Sequence, residues 1–400
     1  MNRRAFVQTL GAGAVGLAAI ESSLGTAQAA QSVAPAGTGS AAPAAGPIRI
    51  GSNENPYGPA PSAIAAIAAV AGGANRYPGP AVQALADAVA EKHGVPREQV
   101  LLSGGSGDIL RAVVTAFTGP AKAIVAGTPS YESPVRTAVA VGAPVKAVAL
   151  TGDQRLDLDA MVAQSAGAGL FYLCNPNNPT ATAVTARSVA AAVEQVLAGS
   201  PSTYVLVDEA YFEYAELPGF DSAVPLAAAH PQVIVARTFS KIHGMAGMRV
   251  GYAIAQPETL ALVRAHHSSS GMSVMSLAAA TASLRDTAHM ATQVALNREV
   301  RTMTVAAFTS AGYTVAPSDA NFIFVNIGRD SRGFQDACRR ENVMVGRAFP
   351  PMLDWARISI GTKEEMETAI PVFMSVLASA PVQTASLDLR YLDTLPTELT

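Results

Sequence analysis

Residues 233–252 read VIVARTFSKIHGMAGMRVGY, and this stretch decides the fold. It opens on a short apolar run, Val233–Ala236, passes through a polar segment that carries Lys241, and returns to a second apolar run at Val250–Ile254. Short runs of this kind, rich in β-branched residues and bounded by turn residues, are typical of buried strands. The stretch therefore predicts two strands with a polar loop between them.

Further strand-like runs precede this stretch along the chain, and helix-period segments such as Ile109–Phe117 and Ser188–Leu197 lie between several of them. The earlier runs are Val100–Leu102, Ala123–Ala126, Leu170–Leu173 and Tyr204–Val207. Alternation of strands and helices predicts an α/β fold with a largely parallel sheet that is covered on both faces. Ligands of such sheets bind outside the carboxyl ends of the strands.

The pattern changes after about residue 286. A long helical stretch, Thr287–Ser310, leads into the apolar run Asn321–Val325, then a helix, then strand-like runs at Val343–Val345 and Ala356–Ile360. This order predicts a smaller α+β unit.

Composition excludes several classes of protein. The 400 residues are 50% hydrophobic and 14% charged, so the chain can bury a large core and is not wholly disordered. A net charge of −3 gives no sign of a nucleic-acid partner. Two cysteines exclude a disulfide scaffold and a four-cysteine zinc site, and they favour two inert thiols over a single bridge. The six histidines lack HExxH spacing, so we predict no metal site.

The first 30 residues resemble a targeting segment. An Arg3-Arg4 pair is followed by Phe6, a weakly apolar stretch and the small-residue pattern Ala27-Gln28-Ala29. These features predict a twin-arginine signal peptide over 1–30 and export, most simply to the periplasm; the alternative is a disordered N-terminus with a chance arginine pair. Residues 31–47 are Ala-, Pro- and Gly-rich and predict a flexible linker. No later window is apolar enough to predict a transmembrane helix.

A glycine-rich turn, Ser103–Leu110, follows the first strand-like run and precedes a helical segment. Backbone N–H groups at a helix N-terminus attract phosphate. The dinucleotide-binding pattern needs a third glycine where Leu110 stands, and an acidic residue about 20 positions on that is missing. The turn predicts a phosphate cradle of another kind, with a plain tight turn as the alternative.

Three more polar motifs follow strand-like runs: CNPNNPT at 174–180, VDEAY at 207–211, and the TFSK and GMRVGY strings within 238–252. Each alone could be an ordinary polar loop. In this order and spacing, with Lys241 33 residues after Asp208, the motifs closely resemble those of the fold-type I aminotransferases that use pyridoxal 5′-phosphate (PLP). Within class I/II, the resemblance is greatest to the histidinol-phosphate aminotransferase branch, and it extends from residue 52 to 362.

The resemblance implies a domain organisation. It implies an N-terminal arm (48–74), a large PLP-binding domain (75–286) and a small α+β domain (287–380), in the aspartate-aminotransferase-like fold. The large domain would hold a mostly parallel seven-stranded sheet covered by helices. The tail, 381–400, has no match.

The resemblance also implies roles in binding PLP. Lys241 would hold the cofactor covalently and carry a proton during catalysis. Asp208 would pair with the ring nitrogen, Tyr211 and Asn178 would bind the ring oxygen, and Tyr131 would stack on the ring. The phosphate would be bound by Gly105, Ser106, Gly107, Thr238, Ser240 and Arg249.

Other implied residues serve the substrate or the partner subunit. Arg357 would clamp the substrate α-carboxylate, Tyr57 would line the substrate side, and Tyr77 would reach the phosphate from the neighbouring subunit of a homodimer. Both tyrosines could instead be simple core or interface aromatics.

The match departs at two positions. Ala181 replaces a glycine that usually follows NPNNPT. Gly346 stands where many histidinol-phosphate enzymes have a substrate-binding arginine, and Arg347 comes one residue later. A one-residue shift on a strand reverses the side-chain direction, so recognition of a phosphorylated alcohol stays open, although Arg347 remains a candidate for the substrate.

The resulting prediction is a PLP-dependent aminotransferase that moves an amino group between an amino acid or primary amine and a 2-oxo acid such as 2-oxoglutarate. It is most like histidinol-phosphate transaminase. Two alternatives keep the cofactor: transamination of another amino acid, aromatic or of secondary metabolism, and decarboxylation or another lyase reaction. A non-enzymatic PLP-binding module is a third hypothesis, which the presence of Lys241 and Asp208 disfavours.

Overall fold

A computed structural model of the chain describes residues 46–267 and 271–379. The predicted signal peptide (1–30), nearly all of the linker (31–47) and the tail (381–400) lie outside the described residues.

A seven-stranded sheet forms the centre of the fold, in the order β2-β8-β7-β6-β5-β3-β4. Its strands are β2 (Val100–Ser103), β3 (Ile124–Thr128), β4 (Val145–Ala149), β5 (Leu170–Cys174), β6 (Tyr204–Asp208), β7 (Val233–Thr238) and β8 (Gly251–Ile254). Neighbours from β4 to β7 are parallel, and β8 runs antiparallel to both β7 and β2. The predicted mostly parallel sheet is confirmed, and β4 is a strand that the sequence analysis did not identify.

The sheet is buried on both faces because its central strands are apolar at successive positions. Along β6, Val205 and Val207 pack into one hydrophobic cluster, while Leu206 packs into a second cluster on the opposite face. Each fully buried valine or leucine contributes about 1.5–3 kcal/mol, so these strands are strongly held in place.

Helices accompany the sheet strands along the chain. They are α1 (Pro61–Val70), α2 (Gly79–His93), α3 (Ser106–Phe117), α4 (Ser133–Ala140), α5 (Leu158–Ala163), α6 (Ala186–Gly199), α7 (Val224–Ala229), α8 (Pro257–Arg264) and α9 (Val274–Arg285). The predicted helical segments 109–117 and 188–197 lie within α3 and α6.

A smaller α+β unit follows α9 along the chain. It contains α10 (Thr287–Ser310), β9 (Thr314–Val315), β10 (Phe322–Asn326), α11 (Ser331–Arg340), β11 (Val343–Val345), β12 (Trp355–Ser359) and α12 (Lys363–Ala378). Strands β12, β10 and β9 form an antiparallel sheet, while β11 pairs in parallel with β1 (Ile48–Ile50). The exact domain boundaries given above remain predictions.

Pairing of β1 with β11 brings the following residues, 51–54, to the carboxyl end of the large sheet. Asn53 anchors this segment through its backbone. Its backbone N–H donates to Ser359 Oγ at 2.8 Å, and its backbone carbonyl accepts from Asn321 Nδ2 at 3.1 Å. Residues from both ends of the chain therefore meet at the edge where the sheet motifs converge.

Two further features concern the described ranges only. None of the helices in 46–267 and 271–379 is long and apolar enough to cross a membrane. In the same ranges, no group of three or more His, Cys, Asp or Glu residues is arranged to hold a metal ion. Cys174 and Cys338 are buried free thiols.

Candidate active site

A cavity of about 440 Å³ lies at the carboxyl ends of β5, β6 and β7. All but three of the predicted site residues line this cavity. The predicted residues that line it are Ser106, Gly107, Tyr131, Asn178, Asp208, Tyr211, Thr238, Ser240, Lys241, Arg249, Arg347 and Arg357. Residues that the sequence analysis did not single out also line it: Ser52, Asn53, Glu54, Ser130, Glu132, Cys174, Ala210, Ala246 and Phe349.

Asp208 ends β6 and presents an unpaired carboxylate oxygen. Its Oδ2 accepts a hydrogen bond from the Tyr172 hydroxyl at 3.2 Å, whereas its buried Oδ1 has no partner among the described residues. Burial raises the pKa of Asp208 to about 6, although the Tyr172 hydrogen bond opposes this rise. An unpartnered buried carboxylate oxygen is costly, so this one indicates a site for a cationic N–H donor.

Tyr172 is the residue that orients this carboxylate, and sequence reasoning missed it. It lies on β5, fully buried within the apolar run LFYLC. In the sequence, a tyrosine within an apolar run indicates only a core residue. The one sequence feature that could have identified its role is that a buried tyrosine hydroxyl needs a hydrogen-bond partner.

Lys241 follows β7 and reaches toward the 51–54 segment. Its Nζ donates to the carbonyl oxygen of Asn53 at 3.1 Å and lies 5.5 Å from the ring centroid of Tyr211. Burial lowers the pKa of Lys241 to about 8, and the nearby Arg357 adds to this lowering. A substantial fraction of the amine is therefore neutral near pH 8, as a nucleophile or a proton acceptor requires.

One end of the cavity is built to bind an anion. Helix α3 begins there at Ser106, with its first backbone N–H groups unpaired within the helix. Arg249 Nη1 lies 3.4 Å from Ser240 Oγ, and the Thr238 hydroxyl donates to the same Ser240 oxygen at 3.0 Å. A guanidinium, two hydroxyls and a helix N-terminus are a suitable donor set for phosphate.

Gly105 supports this end without lining the cavity. Its φ of 100° is a conformation that favours glycine, and a Cβ at this position would overlap the guanidinium of Arg249. Gly251 on β8 is similarly required, since a Cβ there would overlap the backbone nitrogen of Ser106.

The opposite end of the cavity holds Arg357 on β12. Its Nη1 donates to Asn178 Oδ1 at 2.8 Å and its Nη2 donates to the carbonyl oxygen of Gly51 at 2.7 Å. Within 46–267 and 271–379 the buried Nε has no hydrogen-bond partner, and burial lowers the pKa of Arg357 to about 10. Because Asn178 Oδ1 faces Arg357, its Nδ2 is the group left to donate to a ligand.

Gly346 packs directly against Arg357. Its amide donates to the Arg357 carbonyl at 3.0 Å, and a Cβ on Gly346 would lie 2.6 Å from that same oxygen. No side chain fits at position 346 without displacing Arg357, which gives the departure from the family pattern a steric basis.

Arg347 lines the cavity beside Gly346 and is paired. It forms an ion pair with Glu132, and its guanidinium carbon lies 4.3 Å from the ring centroid of Phe349. The Arg357 guanidinium lies 4.7 Å from the same ring. Glu132 and Phe349 lack a motif of their own, and only the fold brings them to the cavity.

The three remaining predicted residues lie elsewhere in the single chain. Gly105 stands behind Arg249, as described above. Tyr57 is 38% exposed and lines a separate small cavity with Asn55 and Tyr214. Tyr77 is 99% exposed and does not line the main cavity.

Comparison of the sequence with known proteins identifies aminotransferases as relatives of this chain. The family model for aminotransferase class I and II matches residues 45–373. A histidinol-phosphate aminotransferase from Symbiobacterium thermophilum is 36% identical over 334 residues, which cover 82% of this chain and 90% of the relative. An aromatic amino acid aminotransferase from Rhodococcus jostii is 38% identical over 327 residues, covering 80% and 87%.

A solved structure agrees with these sequence relatives. The histidinol-phosphate aminotransferase from Sinorhizobium meliloti in complex with pyridoxal 5′-phosphate superposes with a TM-score of 0.77 at 29% identity. The match covers 82% of this chain and 90% of that one.

Proposed function

The chain belongs to the class I and II aminotransferase family, and from this premise we propose that it moves an amino group from an amino acid or primary amine to a 2-oxo acid. It is a PLP-dependent aminotransferase with the aspartate-aminotransferase-like fold. The observation that carries the proposal is a single cavity that holds two groups: the buried amine of Lys241, and a carboxylate oxygen of Asp208 that has no hydrogen-bond partner among the described residues.

The described residues fit PLP. Asp208 Oδ1 would accept from the protonated ring nitrogen, and Lys241 would hold the cofactor covalently. Ser106, Ser240 and Arg249 would bind the phosphate, and Tyr131 would cover the ring. When bound, PLP supplies an electron sink that stabilises negative charge on the substrate carbon that bears the amine.

The residues of this chain supply positioning and proton transfer. Arg357 orients a substrate anion through its guanidinium. Lys241 Nζ, when it is not attached to the cofactor, accepts the proton of the substrate Cα. Tyr131, Tyr211 and Phe349 supply aromatic surface to the cavity lining.

Two donor classes come from the relatives' names: histidinol phosphate and aromatic amino acids. By overall similarity the chain is most like histidinol-phosphate aminotransferases, as the sequence predicted, with relatives of that name at 33–36% identity over most of its length. The packing of Gly346 against Arg357 favours an aromatic amino acid, because the arginine that many histidinol-phosphate enzymes have at this position does not fit here. We propose an aromatic amino acid as the donor and 2-oxoglutarate as the acceptor.

Spectra of the half-reaction test both the reaction and the donor. Purified protein mixed with phenylalanine or tyrosine should lose its PLP absorption band and release the matching 2-oxo acid, whereas histidinol phosphate should leave most of the band unchanged. The Lys241→Ala variant should show no turnover. Release of carbon dioxide instead of a 2-oxo acid would favour the decarboxylase alternative, and a colourless protein that turns over unchanged as Lys241→Ala would overturn the assignment.

A homodimer with a shared active site is also proposed. Support comes from Tyr77, which is almost fully exposed in a single chain although the family pattern assigns it to the phosphate of a neighbouring subunit. Ile64 on α1 is also an exposed large apolar residue, at 52%.

Export through the twin-arginine route remains a proposal that rests on residues 1–30. That route carries folded proteins, so the enzyme could acquire PLP before it crosses the membrane. A mature N-terminus near Ala30 in a periplasmic fraction would support it. Intact Met1 found only in the cytosol would remove it.

A further inference from the structure

The substrate end of the cavity contains two arginines in different electrostatic states. Arg347 forms an ion pair with Glu132, which also holds Arg136 at 2.6 Å through its second oxygen. Arg357 has hydrogen bonds to an amide and a backbone carbonyl, but in the described part of the chain no carboxylate lies within salt-bridge distance of it. The two guanidiniums therefore differ in their capacity to bind an added anion.

Phe349 holds both guanidiniums around one ring. Its own position is fixed by a cluster of aromatic residues, because Phe349 meets Phe324 edge-on at 6.4 Å and Phe324 stacks on Trp355 at 5.0 Å. Glu132 comes from a different part of the chain, immediately after Tyr131, and reaches Arg347 across 215 residues of sequence. The ion pair thus fixes Arg347 in place at this end of the cavity.

The number of charges decides which anion fits. A carboxylate carries one negative charge, whereas a phosphate monoester carries close to two at neutral pH. Glu132 lowers the positive charge that Arg347 can offer to a ligand, although it shares its single negative charge with Arg136, so a carboxylate at Arg357 is closer to charge balance than a phosphate. Glu54 is the other glutamate that lines the cavity. It forms an ion pair with Arg49 at 3.5 Å.

We propose that Glu132 determines the substrate class of this enzyme: by occupying Arg347, it makes the site select donors with one carboxylate and an uncharged ring, and discriminate against phosphate monoesters. This inference rests on the proposed function, which supplies the amino donor. Glu132 acts through Arg347 and is a positioning residue.

Binding of two unreactive ligands to the PLP-loaded enzyme tests the inference without turnover. The ligands are 3-phenylpropanoate and 2-phenylethyl phosphate, which share a ring and differ in the anion. Calorimetry should show that the wild type binds the carboxylate more tightly. In Glu132→Gln, which frees Arg347, the phosphate ligand should bind about tenfold more tightly while the carboxylate changes less than about threefold.

Two variants provide controls. Arg136→Gln removes the other partner of Glu132, outside the cavity lining, and should not increase the affinity for the phosphate ligand relative to the carboxylate ligand. Glu132→Gln combined with Arg347→Gln should lose the gain, because the released guanidinium is then absent. An unchanged ratio in Glu132→Gln, or a gain that persists in the double variant, would overturn the inference.

Together with a transamination assay, the same experiment distinguishes failure of the proposed function from failure of the inference about Glu132. If the ligand ratio shifts as expected but no donor is transaminated, the proposed function fails and the assignment of Glu132 as the charge-setting residue stands. If phenylalanine is transaminated but the ratio does not respond to Glu132→Gln, the inference about Glu132 fails alone.

Discussion

Asp208 and Lys241 are ionisable groups whose environment disfavours their charged forms. Burial raises the pKa of the Asp208 carboxyl to about 6 and lowers the pKa of the Lys241 amine to about 8. Such shifts are typical of functional sites, where a group is held ready for a ligand at the expense of stability. The cofactor-free protein should therefore be destabilised by its own active site.

The stability effect of Asp208 has a definite sign. Its folded pKa of about 6 exceeds the ordinary value of 3.8, so the folded chain binds more protons between these pH values and its stability falls as pH rises through them. Asp208→Asn removes this loss. In cofactor-free protein, urea unfolding should show the variant up to about 3 kcal/mol more stable than wild type at pH 7, and equal to it at pH 4.

Asp319 provides the matched control. It is also a buried aspartate, but its Oδ1 accepts from the backbone N–H groups of Glu216 and Leu217 at 2.8 Å each. Asp319→Asn should destabilise the protein at pH 7, because it weakens two charge-assisted hydrogen bonds. A loss of stability in Asp208→Asn comparable to that in Asp319→Asn would contradict the account.

Individual elements differ in how well their sequence specifies them. Strands β5, β6 and β7 were predicted to within two residues, because continuous apolar runs identify strands that are buried on both faces. Strand β4, VKAVA, lies at the sheet edge with most of its residues partly exposed, so its pattern is weak. An apolar run also carries no direction, which is why the antiparallel orientation of β8 could not be predicted.

The turn between β2 and α3 is the element that fixes the anion-binding end of the site. Gly105→Ala should weaken PLP binding to the cofactor-free enzyme about tenfold, because the new Cβ strains a backbone with φ of 100° and displaces Arg249. Fluorescence titration with PLP measures this change.

Gly104→Ala is the control for the same turn. A Cβ at Gly104 meets no atom within 4 Å, and its φ is not in the left-handed region, so its PLP affinity should stay within about twofold of the wild type. Equal losses in the two variants would show that the turn acts through general flexibility and not through Arg249.

At the scale of the whole molecule, the motifs contain most of the residues that line the candidate cavity, and they omit residues that only the fold brings there. Motifs that follow consecutive parallel strands necessarily converge at one edge of a sheet, so Asn178, Asp208 and Lys241 could be placed together from sequence. Phe349 could not, and neither could the pairing of Glu132 with Arg347, because both depend on how the smaller α+β unit meets the large sheet. The roles of Tyr57 and Tyr77 in the site remain predictions.

Subunit complementation tests the proposed sharing of the site. Lys241→Ala lacks the essential amine, and Tyr77→Ala should impair the partner subunit's site, so each homodimer should be inactive or weak. After the two are unfolded, mixed and refolded, half of the dimers should be hybrids, each with one site that has both native residues. Activity well above the sum of the two parents is expected. Additive activity would contradict a shared site.

The covalent attachment of PLP to Lys241 is the central claim, and it can be measured directly. Reduction of the holoenzyme with borohydride, followed by peptide mass spectrometry, should locate the phosphopyridoxyl group on Lys241. Labelling of Lys92, Lys122, Lys146 or Lys363 instead, or no labelled peptide at all, would contradict the account.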